Sequence, residues 1–583
     1  MSPPFERLAS RDSMHPEGAS AARRLALRAR RVHWAAALAL AAALLALGLL
    51  VHGPGLGGGE LHHEEGRRAL PARAMLTTGD FAVPRIFGRP YLAKPPLYFW
   101  SVAAAAVVFE EGHVTAFAAR LPALLAVLGL SVLVLAAARR TAGNGPAAAL
   151  ALGVLIAPEL AAKAQLGEMD TVFALLAFAA ASACLAALRA DGAVLGGSVA
   201  AGVLAGVFAG LFAGAALLTK GPLGLVFGLG PALGALFDPT RRARAVRVLA
   251  VSLPIALLPG ALWYTVLVER LGGGAEALAT FGRELGRGGG GGLATYLADR
   301  GKFTAGVLLG GLPATLLLAA GLATRHTRAA LFGDREAKAA LLGLVPGLLV
   351  LAVWPAVRAR YALPLLPLAA LAAAPVAAAL WNSSSARAAE PLLRAAVRAV
   401  AGLRAAMLAG AAGAALLFVV SGAAAAGLPL ASAVPLGAPG VFAAAAAAIF
   451  GFGLWRTVSG PARLILCLLV AAGLTALQAD AGRERNRSRH GRAEGARILW
   501  DASAGQPLAT DRWGNFNLLF ELPAAPHWAE APDTLPAGAL LLRARGMGAP
   551  GPDWEPLPAA QWSDREIATC PELASLGVWL RVR

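Results

Sequence analysis

Residues 34–52 read WAAALALAAALLALGLLVH, and residues 60–96 read ELHHEEGRRALPARAMLTTGDFAVPRIFGRPYLAKPP. The first stretch is apolar and long enough to cross a bilayer as a helix. The second gathers carboxylates, arginines and a lysine in a short loop directly after that helix. Because a charge beside a bilayer is costly, such a cluster at the membrane surface indicates a function. We interpret this loop as half of an active site that faces out of the cell.

The composition of the chain indicates a polytopic membrane protein. Of its 583 residues, 57% are hydrophobic and only 15% are charged, whereas a soluble domain carries about 25% charged residues. The net charge is +18, but most of the arginines lie at the ends of apolar segments, where they set orientation. The positive charge therefore gives no support to nucleic-acid binding, and we expect no nucleic-acid partner.

The apolar runs predict an all-α membrane domain with about thirteen transmembrane helices, each of about 17–25 residues. Segment 95–109 is apolar but short, and we expect it to lie at the interface as a helix of the first outer loop. The predicted spans are 34–52, 119–138, 145–163, 170–188, 196–218, 222–237, 248–268, 303–323, 339–355, 361–380, 404–425, 436–456 and 461–479.

Arginines predict the orientation of these spans. Seven of them precede residue 34, which places the N-terminus in the cytoplasm, and the predicted outer loops 164–169 and 426–435 contain neither lysine nor arginine. We therefore expect a multi-pass protein of the cell inner (plasma) membrane. Its predicted parts are a cytoplasmic segment 1–33, a transmembrane domain 34–479 with large outer loops 53–118 and 269–302, and an external domain 480–583.

The tail differs in composition from the rest of the chain. It gains acidic residues, Trp and Pro, and it contains candidate strands at Pro507–Asp511, Ala539–Arg543 and Val578–Val582 and a short helix at Asn515–Leu522. We predict a small extracytoplasmic α/β domain here. The three cysteines, Cys184, Cys467 and Cys570, are too far apart to form a CxxC metal site or a disulfide framework.

Glu64 and Glu65 begin a helical stretch that is expected to end near Gly79 as its C-cap. Adjacent carboxylates on a helix point about 100° apart, so one can accept a proton while the other orients a partner. The alternative is a solvated acidic pair that the dipole favours at a helix N-terminus.

The order of the motifs resembles the integral-membrane glycosyltransferases that use lipid-linked sugars, specifically the branch of protein O-mannosyltransferases and lipid A aminoarabinose transferases. The first outer loop of that family has Asp-Glu-x-Arg-Tyr-Ala, then Arg-x-Met, Thr-Gly-Asp-Trp and Tyr-x-x-Lys-Pro-Pro. Three later stretches also match, namely 119–122, 218–222 and 360–367. The matching residues in the loop are Glu64, Glu65, Arg67, Ala69, Arg73, Met75, Thr78, Gly79, Asp80, Phe81, Tyr91, Lys94, Pro95 and Pro96.

The resemblance implies roles for the carboxylates. The first acidic residue of the loop is the general base in that family, and it maps to Glu64. Because this residue is usually Asp there, the base role stays open between Glu64 and Glu65. A second family carboxylate at the outer start of a later span maps to Asp170, whose alternative role is that of a helix N-cap.

Cations and aromatic residues complete the predicted site. Lys94, Lys220, Arg358 and Arg360 are suited to the phosphate of a polyprenyl-phosphate donor, since fixed cations stabilise a leaving phosphate. Their alternative is contact with lipid headgroups. Tyr361 either closes a lipid groove or belongs to an aromatic belt. The residues assigned to the lipid or acceptor groove are Arg67, Asp80, Tyr91 and Tyr361.

We predict no zinc site and no cofactor, and a requirement for a divalent metal stays open. Some aminoarabinose transferases place zinc with a Glu before the Lys-Pro pair and a His in the later outer loop. Here the first position is Ala93, and residues 269–302 contain no histidine. His62 and His63 alone lack the spaced further ligands of a zinc site.

The predicted function is therefore transfer of a sugar from a polyprenyl phosphate to an external acceptor, either a lipid A-like glycolipid, another glycan or a protein. Two alternatives stay open, a transporter or flippase and a non-catalytic homologue. A transporter is expected to carry its charges near the bilayer midplane within internal repeats, whereas here they cluster at one face.

Overall fold

The computed structural model describes residues 16–382 and 492–582, apart from short gaps. In the first part the gaps are at 55, 63, 190–196, 276–278, 280–292, 313, 324 and 355–356. In the second part they are at 505, 507, 511–515, 524–525, 530–531, 545–550, 558–562 and 564–569. The predicted spans 404–425, 436–456 and 461–479 lie outside the described residues.

Helices make up almost all of the first part, in line with its long apolar runs. In chain order they are α1 Pro16–His52, α2 Gly66–Thr78, α3 Leu97–Phe109, α4 Ala116–Ala142, α5 Asn144–Leu155, α6 Pro158–Ala164, α7 Asp170–Arg189, α8 Gly197–Lys220, α9 Leu223–Gly228, α10 Gly230–Ala235, α11 Arg242–Leu271, α12 Leu293–Gly310, α13 Ala314–Ala323, α14 Arg325–Gly333, α15 Arg335–Val353, a 3-10 helix Ala359–Leu365, α16 Leu366–Ala372 and α17 Ala374–Asn382.

Six of the described helices are long and apolar enough to cross a membrane, and a seventh span is formed if the bent pair α5 and α6 counts as one. The described helices alone are thus enough to make the chain a multi-pass membrane protein. Segment 95–109, which was predicted to lie at the interface, contains the short apolar helix α3. The count of thirteen spans stays a prediction.

Several predicted spans are broken where the sequence contains Pro or Gly. The span at 145–163 bends by 60° between α5 and α6, just before Pro158. The span at 222–237 consists of two short helices that meet at Leu229, next to Gly230 and Pro231. Pro lacks the N–H that continues a helix, and such breaks are tolerated in a membrane where neighbouring helices surround them.

The ends of the helices separate into two charged faces. Helix α7 runs from Asp170 at one face to Arg189 at the other, where Arg189 forms an ion pair with Glu336 at 2.7 Å. At that second face Lys338 also pairs with Asp238 at 3.0 Å. Among the described residues, the end of α7, the loop before α11 and the start of α15 therefore meet at one end of the helix bundle, opposite to Asp170.

Residues 53–118, called the first outer loop after their predicted position, contain α2, a small hairpin of β1 (Arg85–Ile86) and β2 (Arg89–Pro90), and α3. Helix α2 ends at Gly79 as predicted, with φ 73° and its N–H bonded to Met75 O. Trp263 of α11 donates to Ala82 O at 2.9 Å and fastens the loop to the membrane domain. The loop is therefore an ordered part of the fold.

The second part of the chain is the predicted α/β domain. Its five-stranded sheet has the order β4-β3-β5-β7-β6, and β3 runs parallel to both of its neighbours. The predicted strands and the short helix are confirmed within one or two residues at each end. The elements are α18 Arg492–Ala502, β3 Leu508–Thr510, α19 Phe516–Phe520, β4 His527–Trp528, β5 Leu540–Ala544, β6 Trp554–Pro556 and β7 Leu576–Arg581.

This α/β domain packs directly on the first outer loop. Buried residues of both parts form one apolar cluster, which includes Leu61 and Leu70 of the loop and Leu518 and Leu540 of the domain. Arg492 donates to Leu61 O at 2.8 Å across the same interface. The domain therefore lies on the face of the bundle that holds the loop and Asp170.

Cys570 is fully buried in this domain, so a test of topology needs another position. We expect a Glu555→Cys variant without the native cysteines to react with a membrane-impermeant maleimide on intact spheroplasts, since residue 555 is exposed. An Ala243→Cys variant at the opposite face serves as the control. Labelling of the control and protection of residue 555 would overturn the predicted orientation.

Candidate functional site

A buried ion pair between Glu65 and Arg120 anchors the first outer loop to α4. Arg120 Nε lies 2.8 Å from Glu65 Oε1, and Arg120 Nη2 lies 2.9 Å from Oε2. The remaining N–H groups of Arg120 donate to carbonyls of the approaching chain, at Leu56, Gly58 and Glu60. All five guanidinium donors are thus used to fix the shape of residues 56–65.

Glu65 is saturated by its surroundings. Besides Arg120, its two oxygens accept from His62 N and Gly167 N, each at 2.6 Å, and the residue has no solvent exposure. A carboxylate offers about four lone-pair positions, and four donors occupy them. Glu65 therefore pairs with Arg120, and it has no free acceptor position for a substrate hydroxyl in this arrangement.

Glu64 has a different environment on the same turn. Its side chain is 32% exposed and pairs with Arg67 at 3.1 Å and with Arg68 at 3.7 Å. Arg68 is buried and also donates to the hydroxyl of Tyr91 at 3.1 Å. Helix α2 begins at Gly66, so Glu65 is its N-cap and Glu64 lies in the turn before it, and the two side chains point apart, one into the fold and one toward an open surface.

Charge around Glu64 sets its protonation. Burial alone would raise the pKa of Glu64, but the positive charges of Arg67, Arg68 and Arg360 outweigh that effect and lower it below the usual Glu value. Glu64 is therefore ionised at neutral pH and ready to accept a proton.

Asp170 and Lys220 form an ion pair with each other. Asp170 is the first residue of α7 and Lys220 is the last residue of α8, so the antiparallel packing of these two helices brings them together. The ammonium of Lys220 lies 4.5 Å from the ring centre of Tyr361 and 5.4 Å from that of Phe173. The charge of Lys220 is thus held between a carboxylate and two aromatic rings.

Arg360 of the 3-10 helix adds a further positive charge to the site. It lies 3.5 Å from Glu168, which also pairs with Lys163 at 2.8 Å. Its charge also acts on Asp170 and on Glu64. The site therefore combines three groups of ion pairs from the first outer loop, the start of α7, the end of α8 and the 3-10 helix, and the charge of Arg360 acts on the other two groups.

The other predicted residues lie around these ion pairs. Lys94 is half-buried between β2 and α3. Arg358 is exposed at the start of the 3-10 helix. Asp80 accepts from Ala82 N at 3.1 Å and shapes the turn after α2.

Some residues of the site were not predicted. Arg68 and Arg120 make the contacts described above, and each lies in or beside a stretch that matches the resembling family. Arg120, for example, is the Arg of the Ala-Arg-Leu-Pro stretch. The sequence thus marked the stretches that contain these residues, but it could not identify their contact partners, which are distant in sequence.

The α/β domain reaches the site through α19. Asn517 Oδ1 accepts from Gly66 N at 2.8 Å, at the first residue of α2. A Cβ atom at Gly66 would lie 2.6 Å from Asn517 Oδ1 and 2.7 Å from the carbonyl carbon of Phe516. The glycine after Glu65 is therefore explained by the close approach of this domain.

We expect Gly66→Ala to loosen the contact between the α/β domain and α2. Part of the clash is with backbone, which cannot rotate away, so the cost should be about 1–3 kcal/mol. Limited proteolysis and thermal unfolding of the purified protein would measure it. Gly273→Ala is the matched control, because nothing lies within 4 Å of a Cβ there. Equal behaviour of the two variants would contradict this explanation of Gly66.

Among the described residues, no group of three or more His, Cys, Asp or Glu side chains is placed to hold a metal ion. His62 is buried, and its Nδ1 lies 3.2 Å from Arg492 Nη1. His63 lies outside the described residues. The absence of zinc stays a prediction.

No protein-family model matches the sequence, and no curated protein matches it either. The structure is similar to two crystal structures of ArnT from Cupriavidus metallidurans. The apo structure has 20% sequence identity and a TM-score of 0.66, and the match covers 93% of this chain and 97% of that chain. The structure bound to undecaprenyl phosphate has 19% identity and the same TM-score, and covers 93% and 98%. The chain has the ArnT fold.

ArnT is a lipid A aminoarabinose transferase, from one of the two groups that the sequence motifs indicated. The predicted polytopic fold is confirmed at this level, with several apolar spans and a small sheet near the C-terminus. Because the match extends over almost the whole of both chains, the α/β domain belongs to the shared fold as well.

Proposed function

We propose that this protein is a glycosyltransferase that moves a sugar from a polyprenyl-phosphate donor to an acceptor outside the inner membrane, with Glu64 as the general base. The acceptor is a glycolipid such as lipid A, another glycan or a protein. The active site and the α/β domain face the outside of the cell, and membrane lipids surround the helices.

One observation carries this proposal: an ionised, partly exposed carboxylate is paired with arginines on the same face of the helix bundle as the cations Lys220 and Arg360. Glu64 offers the proton acceptor, and Arg360 and Lys220 offer positive charge for a phosphate. The ArnT fold supports it, since an ArnT structure of this fold holds undecaprenyl phosphate. The charges lie at helix ends, which is where the headgroup of a lipid donor would meet them.

The reaction follows from these groups. The hydroxyl oxygen of the acceptor attacks the anomeric carbon of the sugar while Glu64 takes the hydroxyl proton. The bond between that carbon and the phosphate oxygen breaks, and the phosphate leaves with the electron pair. Single displacement inverts the anomeric centre. Negative charge that develops on the phosphate is stabilised by the nearby cations, which are already fixed by their partners.

In this proposal Asp170 positions Lys220. It holds the ammonium of Lys220 at the end of α8, and Gly221 with φ 85° lets the chain turn directly after it. A lysine that is fixed in this way can accept a phosphate as a second anionic partner. Asp170 therefore sets where the donor phosphate binds.

We expect Lys94→Ala and Lys220→Ala each to weaken binding of the donor phosphate, whereas Lys94→Arg and Lys220→Arg keep part of it. A charge-assisted hydrogen bond contributes about 1.5–3 kcal/mol, so affinity should fall by about ten-fold or more. Binding of undecaprenyl phosphate to the purified protein in nanodiscs would be measured. Lys302→Ala is the control, because this side chain is 80% exposed. Unchanged affinity in both Ala variants would count against the role of these lysines.

The proposed activity itself is tested with a panel of polyprenyl-phosphate-linked hexoses and pentoses. Purified protein is incubated with each donor and an envelope extract, and release of polyprenyl phosphate and labelling of glycolipids and glycoproteins are followed by mass spectrometry. We expect one donor to react. No release from any donor, with undecaprenyl phosphate still bound, would contradict the proposal.

A further inference from the structure

Phe516 of the α/β domain contacts the arginine that holds Glu64. The guanidinium carbon of Arg67 lies 4.8 Å from the centre of the Phe516 ring. The same ring stacks on Phe87 of the first outer loop, with centroids 6.1 Å apart and planes inclined by 18°. Phe516 is thus fixed by the loop on which its domain packs, and its ring is available as a rigid surface for Arg67.

Among the described residues, Arg67 contacts Glu64 and the ring of Phe516, and both contacts bear on its position. Its Nη1 donates to Glu64 Oε2 at 3.1 Å and to Oε1 at 3.4 Å, and its guanidinium lies over Phe516. The side chain is 38% exposed, and an exposed ion pair alone contributes little because it must order two long side chains. Contact with an aromatic ring adds attraction and removes alternative rotamers. The ring therefore determines how firmly Arg67 is held against Glu64.

We propose that Phe516 is a positioning residue for Glu64, acting through Arg67. The α/β domain thereby contributes to the active site. This inference rests on the proposed function. The neighbouring contact supports it, because Asn517 binds Gly66 N only two residues from Glu64. Two consecutive residues of α19 thus fix the start of α2 and the arginine on its first turn.

If Phe516 positions Glu64 through Arg67, loss of the ring should change the pKa of Glu64, which a merely structural role would not do. The positive charges that act on Glu64 are Arg67 and Arg68 of α2 and Arg360 of the 3-10 helix, and Asp170 and Glu168 are the negative charges that also act on Arg360. If Arg67 moves away, Glu64 loses one of three positive neighbours, and its pKa rises. The acid limb of the pH–rate profile should then move to higher pH, while Arg68 and Arg360 keep the change partial.

The test compares Phe516→Leu, which removes the ring, with Phe516→Tyr, which keeps it. Trp528→Leu is the matched control, since Trp528 makes the same kind of contact with Arg89, at 4.7 Å, on the same interface. Transfer by the full-length protein is followed as a function of pH with the donor that the wild type uses best. Hydrogen exchange of a peptide covering residues 61–70 is measured in parallel.

We expect Phe516→Leu to lower kcat by about ten-fold to a hundred-fold, as a displacement of about 1 Å does, and to move the acid limb upward. Phe516→Tyr should keep kcat and the acid limb close to their wild-type values, and Trp528→Leu should leave the acid limb in place. Exchange in residues 61–70 should rise in Phe516→Leu more than in the control.

An acid limb and an exchange rate that stay at the wild-type values in Phe516→Leu would overturn the inference and leave the proposed function standing. If the wild type transfers no sugar at all, the proposed function fails, and the exchange measurement decides whether Phe516 holds the start of α2.

Discussion

Glu64→Gln is expected to lower the rate of sugar transfer by about 10²–10⁴-fold, the usual contribution of a positioned general base. The amide keeps the size of the side chain but cannot take the proton of the acceptor hydroxyl. The variant should fold normally, because Glu64 and its closer partner Arg67 are both partly exposed, and the buried Arg68 keeps its hydrogen bond to the Tyr91 hydroxyl.

The pH dependence gives a second readout of the same residue. Since its neighbouring arginines lower the pKa of Glu64, the ionised base persists below the usual range of a glutamate. Activity should therefore hold as the pH falls to the normal Glu pKa, and decline only below it. Steady-state transfer between neutral and acidic pH measures this limb.

Two variants serve as controls for Glu64→Gln. Glu64→Asp restores the residue that the resembling family usually has, and we expect it to retain activity. Glu111→Gln removes an exposed carboxylate from the same outer loop and should have no effect. Normal transfer by Glu64→Gln would show that this carboxylate is not the base.

Glu65→Gln is expected to act on stability instead, with a loss of about 3–5 kcal/mol. The substitution leaves the guanidinium of Arg120 buried without its counter-charge. It also turns an amide N–H₂ toward His62 N or Gly167 N, where a donor would face a donor. Thermal unfolding in detergent should show a much lower Tm, and any remaining folded fraction should still transfer sugar.

The matched control for this prediction is another glutamate of a Glu–Arg pair. Glu494 pairs with Arg497 on the surface of the α/β domain, and Glu494→Gln should leave the Tm close to that of the wild type. If Glu65→Gln unfolded at the wild-type temperature, the anchoring role of this pair would be wrong.

The sequence predicted the elements of this fold better than their contacts. Helical spacing gave two glutamates that point apart, and Gly79 gave the end of α2. Which glutamate faces inward depends on Arg120, and that partner lies 55 residues further along the chain. Likewise, Asp170 and Lys220 were each assigned to the site, but their pairing follows from the packing of α7 against α8.

The hydropathy of the membrane part predicted apolar segments but not their continuity. A window that averages apolar residues over a span does not register the Pro and Gly that divide segment 222–237. The α/β domain shows the same limit, since its strands could be predicted from their pattern, while the contact between Asn517 and Gly66 joins residues 451 positions apart.

The most direct test of the central claim is a single-turnover experiment with undecaprenyl-phosphate-linked sugar and the purified wild type and Glu64→Gln proteins. Release of undecaprenyl phosphate and binding of the donor are measured in the same samples. Our account predicts equal donor binding, with release by the wild type and almost none by Glu64→Gln. Equal release by the two proteins would contradict it.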